Sequence, residues 1–502
     1  MPTAQRDDMT GPHIEIASGR LRGVWIGGVE RYLGIPYAAP PVGPRRFCAP
    51  EPAAAWDGVR DARGHGPSAP YRLNDFPALD LTALVGEGWE GGDDYLAVNV
   101  WTPDSQAARL PVMVFIHGGA FVGGSAMAPV QDGTAFARDG VVLMTIAYRV
   151  GVEGFLPIDG APTNLGLRDM IAALTWVQAN AGAFGGDPAN VTVFGESAGA
   201  MAIADLVTSP LARGLFRRAI IQSGHGSMVR SVPVTQRLTR AVAKALGIQP
   251  TLEGFRSISV EQGLDAVQKL SAPTARLNLR DEEGREPAYG LSRFLPVFGD
   301  DVIPLRPLEA LEQGAGRDVD VLIGSNTEEM NLYFVPTGVR AKVGRLLSWL
   351  LLSRSIRKAG AILKTYGMGQ RGRVPGAALT EAMSDLVFRW PARVYAAAHR
   401  GRTHVYEFGW RSPACEGQLG ACHGVELPYV FDTLATATGP KGILGEAPPQ
   451  ELADRVHRIW VDFARDGSLP WPEYDAANRL VHRLDSGETA SETPMPAARF
   501  WP

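Results

Sequence analysis

A chain of 502 residues, 45% hydrophobic and 20% charged, can bury a large core and is ordinary in composition for a globular protein. Its net charge of −4 gives no electrostatic reason to expect nucleic acid as a partner. No apolar run approaches the length of a membrane span, three cysteines are no disulfide framework, and the N-terminal Met1-Pro2-Thr3-Ala4-Gln5-Arg6 carries no secretory pattern, so a cytoplasmic location is expected.

Residues 1–11 read as a disordered lead and residues 12–502 as a single domain, because no repeat or low-complexity linker cuts the chain. Residues 13–25 and 29–37 alternate apolar and polar around glycines, as an antiparallel hairpin does. A Pro-rich loop and an irregular stretch over 60–92 lead to a further alternating segment at 95–100. The pattern then changes. Residues 111–116, 141–148 and 191–194 are near-continuous apolar runs, the mark of strands buried on both faces. Within 167–184, Leu167, Met170, Ile171, Leu174 and Val177 fall at helical spacing. Further strands are expected at 219–222, 319–323 and 404–410, with helices and loops over 232–285. A helix over 451–465 presents Val456, Trp460 and Phe463 and stops at Asp466-Gly467. This alternation predicts an α/β fold, a mostly parallel central sheet with helices on both faces and inserted helical cap segments. The Leu-rich, basic stretch 339–365 has two readings: a mobile cap that grips lipid surfaces, or, more simply, a helical cap packed over the site.

Residues 191–194 run straight into Gly195-Glu196-Ser197-Ala198-Gly199. A strand, a sharp turn and a helix in that order set a serine hydroxyl at the tip of the turn, and glycines relieve crowding there. Alone the pentapeptide is weak, expected by chance in roughly one of every few chains of this length. Serine attack on a carbonyl also needs a base, a group that orients it, and donors for the oxyanion. Of nine histidines, His423 lies in a loop after the last expected core strand, whereas His457 falls in a helix and His482 in a polar tail. The order serine, acid, late histidine favours His423. For the acid, Glu328 and Glu329 both follow the strand 319–323, and spacing does not separate them. His117-Gly118-Gly119 after the strand 111–116 supplies an oxyanion loop whose Gly118 and Gly119 N–H groups would join that of Ala198. His117 itself reads as structural, and His225 either lines the acyl side of the pocket or has no role.

With these residues in view the chain resembles the type-B carboxylesterases, the family of bacterial para-nitrobenzyl esterases and the cholinesterases. The likeness runs from about residue 13 to 475 and includes Gly34-Ile35-Pro36-Tyr37-Ala38, Asn164-Leu165-Gly166-Leu167-Arg168-Asp169, the elbow and Gln222-Ser223-Gly224. It implies the α/β-hydrolase fold, Glu329 as the acid, Glu196 as a buried carboxylate beside the nucleophile, and Ser223 as a buried serine supporting the site. It also implies two structural ion pairs, Arg46 with Asp93 and Arg149 with Asp169. Tyr95 stands where the family often has a disulfide-bonded cysteine, which fits a bacterial, non-secreted member. Met330 replaces the family's glycine after the acid, and Trp89 does not match the spacing of a choline-binding tryptophan.

The expected activity is hydrolysis of a small-molecule carboxylic ester by Ser197, His423 and Glu329, with no cofactor or metal, in a monomer. Carbamate or amide cleavage at the same serine, and a non-catalytic binding protein on the same fold, are the alternatives. Whether Cys415 and Cys422 pair is left open, two reduced thiols being the simpler reading.

Overall fold

A computed structural model describes residues 11–73, 76, 78–272 and 275–501. Residues 1–10 of the expected lead therefore lie outside the described residues. The strands in chain order are β1 (His13–Ile16), β2 (Gly19–Arg22), β3 (Val24–Ile26), β4 (Val29–Pro36), β5 (Val59–Asp61), β6 (Ala97–Thr102), β7 (Leu110–Ile116) and β8 (Val142–Ile146). They continue as β9 (Gly186–Glu196), β10 (Arg218–Gln222), β11 (Arg230–Ser231), β12 (Val297–Phe298), β13 (Asp320–Asn326), β14 (Thr403–Phe408), β15 (Leu480–Arg483) and β16 (Thr489–Ser491).

One 11-stranded sheet runs in the order β16-β15-β14-β13-β10-β9-β7-β8-β6-β4-β3. From β8 through β7, β9, β10, β13 and β14 to β15 the neighbours are parallel. Both margins are antiparallel. The expected N-terminal hairpin divides: β1 and β2 pair in a small separate sheet with β5, while β3 and β4 join the large sheet through β6.

The central strands carry apolar runs because each serves two cores. In β7, Val112, Val114 and Ile116 enter one cluster and Met113 and Phe115 the other. In β13, Val321 and Ile323 face the first and Leu322 the second. Alternation with period two therefore splits a continuous apolar run between the faces of the sheet. The helix Leu165–Asn180 covers one face with Leu167, Met170, Leu174 and Val177. The helix Gln450–Asp466 covers the other with Val456, Trp460 and Phe463.

Two expectations change. Arg46 does not pair with Asp93; its guanidinium binds Glu153, with Nη2 at 2.6 Å from Oε1. Asp93 sits exposed in a loop, whereas Glu153 lies buried in the short helix Gly151–Phe155. The segment holding His482 is no polar tail: it is β15, which extends the sheet beside β14. The second family ion pair does form, Arg149 to Asp169 at 2.6 Å, with both side chains buried. Cys48, Cys415 and Cys422 are all unpaired.

Candidate active site

The C-terminal ends of the parallel strands supply the site, as open α/β sheets generally do. β9 ends at Glu196 and the helix Ala198–Thr208 begins at Ala198, which leaves Ser197 alone in the turn. Its backbone is left-handed, φ 56° and ψ −122°. For a residue with a Cβ that is strained by about 1–3 kcal/mol. Close packing holds it there. A Cβ on Gly199 would stand 2.0 Å from the Ile116 carbonyl oxygen, and one on Gly195 2.6 Å from the same atom. The end of β7 thus lies directly against the elbow.

Ser197 Oγ lies 2.7 Å from His423 Nε2, and His423 Nδ1 lies 2.7 Å from Glu329 Oε2. An Nδ1–H donated to the carboxylate leaves Nε2 free to accept the serine proton. Glu329 is fully buried, and its Oε1 accepts from Ser223 Oγ at 2.6 Å and from the Asn326 N–H at 2.8 Å. Glu328 turns away. It ion-pairs with Arg411 and accepts from the Ala421 N–H. The structure thus separates two acids that spacing leaves equivalent. Met330, in place of glycine, donates its N–H to Ser384 Oγ and is buried, so the turn closes without glycine.

Gly118 lies against Ser197: a Cβ there would meet Glu196 Oε2 at 2.8 Å and Ser197 Cβ at 3.2 Å. Gly119 has φ 112°, which disfavours any side chain. Ala198, the first residue of the elbow helix, is buried. His117 stacks on Tyr148, and its Nδ1–H donates to the Gly118 carbonyl. Burial pulls its imidazole down to about 4, so it stays neutral and structural. His225 is held by Val387 O on Nε2 and by the Ser227 N–H on Nδ1. Both of its nitrogens are engaged with backbone, and burial likewise pulls it down to about 4.

Carboxylates dominate the electrostatics. Burial disfavours the His423 imidazolium, but Glu196 and Glu329 outweigh it and hold the imidazole up at about 9. Glu196 Oε1 lies 3.1 Å from His423 Nε2, in no hydrogen-bonding alignment. Burial pushes the Glu196 carboxyl up to about 8, against the pull of His423. Each acts on the other: an ionised Glu196, with Glu329, favours the imidazolium, and the imidazolium in turn favours the Glu196 carboxylate.

Two further residues belong to the site and are not evident in the sequence. Glu426 is fully buried and accepts from Asn326 Nδ2 at 2.6 Å and Gln222 Nε2 at 3.2 Å. Burial raises its carboxyl, with Glu329 adding to the effect. Its position three residues after His423 is the one signal the sequence offers. Phe388, in a π-helical turn Asp385–Arg389, sets its ring 4.5 Å from the His423 ring. A π turn has no local sequence signature. Among the described residues, no group of three or more His, Cys, Asp or Glu could hold a metal ion.

Residues 10–501 match the carboxylesterase family. The chain is 34% identical to the para-nitrobenzyl esterase of Bacillus subtilis, over 97% of each chain. It is 32% identical to the phenmedipham hydrolase of Pseudarthrobacter oxydans, over 98% of each. Among solved structures, the Geobacillus stearothermophilus carboxylesterase superposes with a TM-score of 0.81 at 34% identity, covering 97% of this chain and 98% of that one.

Proposed function

The chain belongs to the carboxylesterase family and is a carboxylic-ester hydrolase, and on that premise we propose that Ser197, His423 and Glu329 are its nucleophile, base and acid. One observation carries the assignment: the unbroken series Ser197 Oγ, His423, Glu329, with 2.7 Å at each link. Ser197 Oγ attacks the ester carbonyl while Nε2 takes its proton. Glu329 stabilises the imidazolium that results, and Ser223 and the Asn326 N–H keep the carboxylate in place. The N–H groups of Gly118, Gly119 and Ala198 hold the oxyanion, and each is worth about 3 kcal/mol of transition-state stabilisation. His423 then protonates the leaving alcohol. Water, deprotonated by the same imidazole, attacks the acyl-enzyme and releases the acid and the free serine.

Glu196 acts in this scheme by setting the charge around Nε2. The reading takes residues 12–502 as one domain, monomeric and cytoplasmic. Three unpaired cysteines support a reducing compartment. Ser197→Ala tests the assignment. Turnover of p-nitrophenyl acetate is expected to fall by at least about 10⁴-fold with the fold retained by circular dichroism. Near-wild-type turnover overturns it.

A further inference from the structure

Residues 330–380 contain nine arginines and lysines and no aspartate or glutamate, in a chain of net charge −4. The middle of this segment is the helix Arg345–Ser353. Its four largest outward side chains are apolar: Leu346 is 71% exposed, Leu347 48%, Trp349 44% and Leu350 41%. At about 100° per residue these four fall on one continuous arc, opposite the buried Ser348 and Leu352. Exposed large apolar side chains elsewhere, such as Ile26, Val59 and Leu211, stand singly. Lone ones are normal, but a cluster on one helix face marks an interaction surface. The helix packs inward through Ser348 and Leu352 and leaves this apolar face outward.

Charge identifies the occupant. Lys342, Arg345, Arg357 and Lys358 flank the apolar arc, are exposed, and have no acidic partner among the described residues. Arg373, by contrast, is engaged by Glu381. The acidic turn Asp281–Glu283 lies beside Arg357 at one end, where Arg280 donates to the Ser353 and Arg354 carbonyls, but it forms no ion pair with Lys342, Arg345 or Lys358 among the described residues. Leucines and a tryptophan flanked by these unpaired cations suit the interface of a lipid bilayer with anionic headgroups. A second copy of this chain suits it less well, because it would bring the same cations against each other. No described helix is long and apolar enough to cross a membrane, so the contact would be peripheral.

We propose that the face of the helix Arg345–Ser353 docks the protein on anionic lipid surfaces, apolar side chains entering the headgroup region and flanking cations reading its charge. This goes beyond ester hydrolysis and does not depend on it. The test therefore uses the full chain carrying Ser197→Ala, so that no lipid is consumed. It is sedimented with vesicles of phosphatidylcholine alone and of phosphatidylcholine with phosphatidylglycerol. Binding is expected on the mixed vesicles and lost in about 1 M salt, where the Debye length falls to about 3 Å. Each of Arg345→Gln and Lys358→Gln should weaken it about fivefold. Leu346→Glu with Leu350→Glu should abolish it. In the otherwise wild-type chain, that pair should leave p-nitrophenyl acetate turnover unchanged. Absence of binding, equal binding to neutral vesicles, or a dimer in sedimentation velocity that the Leu346→Glu change dissociates would overturn the proposal.

Discussion

Glu328 and Glu329 are adjacent, identical and opposite in employment. Glu329 is buried against His423 Nδ1, while Glu328 is drawn outward by Arg411. Glu329→Gln should cost about 10⁴-fold in kcat, since an amide no longer fixes the tautomer, whereas Glu328→Gln should cost less than about tenfold. Steady-state assays of the two variants side by side check this. The pH profile tests the electrostatics. With His423 as the proposed base, catalysis needs it neutral, and neighbouring carboxylates raise its pKa, so activity should climb with pH along a limb lying above 6.5. Glu196→Gln removes the negative charge nearest Nε2. It should move that limb to lower pH, and an unmoved limb would mean that Glu196 does not tune the base. The serine and histidine are legible in the sequence because the elbow and the loop are continuous motifs. The acid is legible only down to a pair, because both candidates precede the same turn and the choice depends on a side chain reaching across to residue 423. Glu426 and Phe388 are illegible, since what makes them part of the site is burial against strands far away in the chain.

At the level of elements, the elbow depends on how nearly β7 touches the helix Ala198–Thr208. Gly199→Ala would thrust a methyl into the Ile116 carbonyl, so a loss of about 1–3 kcal/mol is expected from the shift in urea midpoint, together with loss of turnover. Gly182→Ala is the control. No atom lies within 4 Å of its Cβ position, and stability should hold or rise slightly. The central strands are legible because burial on both faces forces a continuous apolar run. β15 and β16 are not: β16 is exposed along its length and β15 is only partly buried, so neither needs an apolar pattern. The cap helix Arg345–Ser353 is legible as a helix but not in its orientation, since leucine serves equally to pack a core and to meet a lipid.

Over the whole molecule, the buried pair Arg149–Asp169 ties the end of β8 to the helix Leu165–Asn180, with Asp169 accepting from the Arg149 N–H as well as from its guanidinium. Asp169→Asn leaves that guanidinium buried without its counter-charge. A loss of about 3–5 kcal/mol in unfolding free energy is expected, read by calorimetry or denaturant titration.

The groups of the site also come from widely separated parts of the chain, with Ser197 and His423 226 positions apart. During synthesis, β7, β9 and the elbow leave the ribosome well before the loop that carries the base. A serine without a base is an ordinary alcohol. On the proposed assignment, the growing chain therefore carries Ser197 without the group that activates it, and hydrolytic power should arrive only once residue 423 has been added.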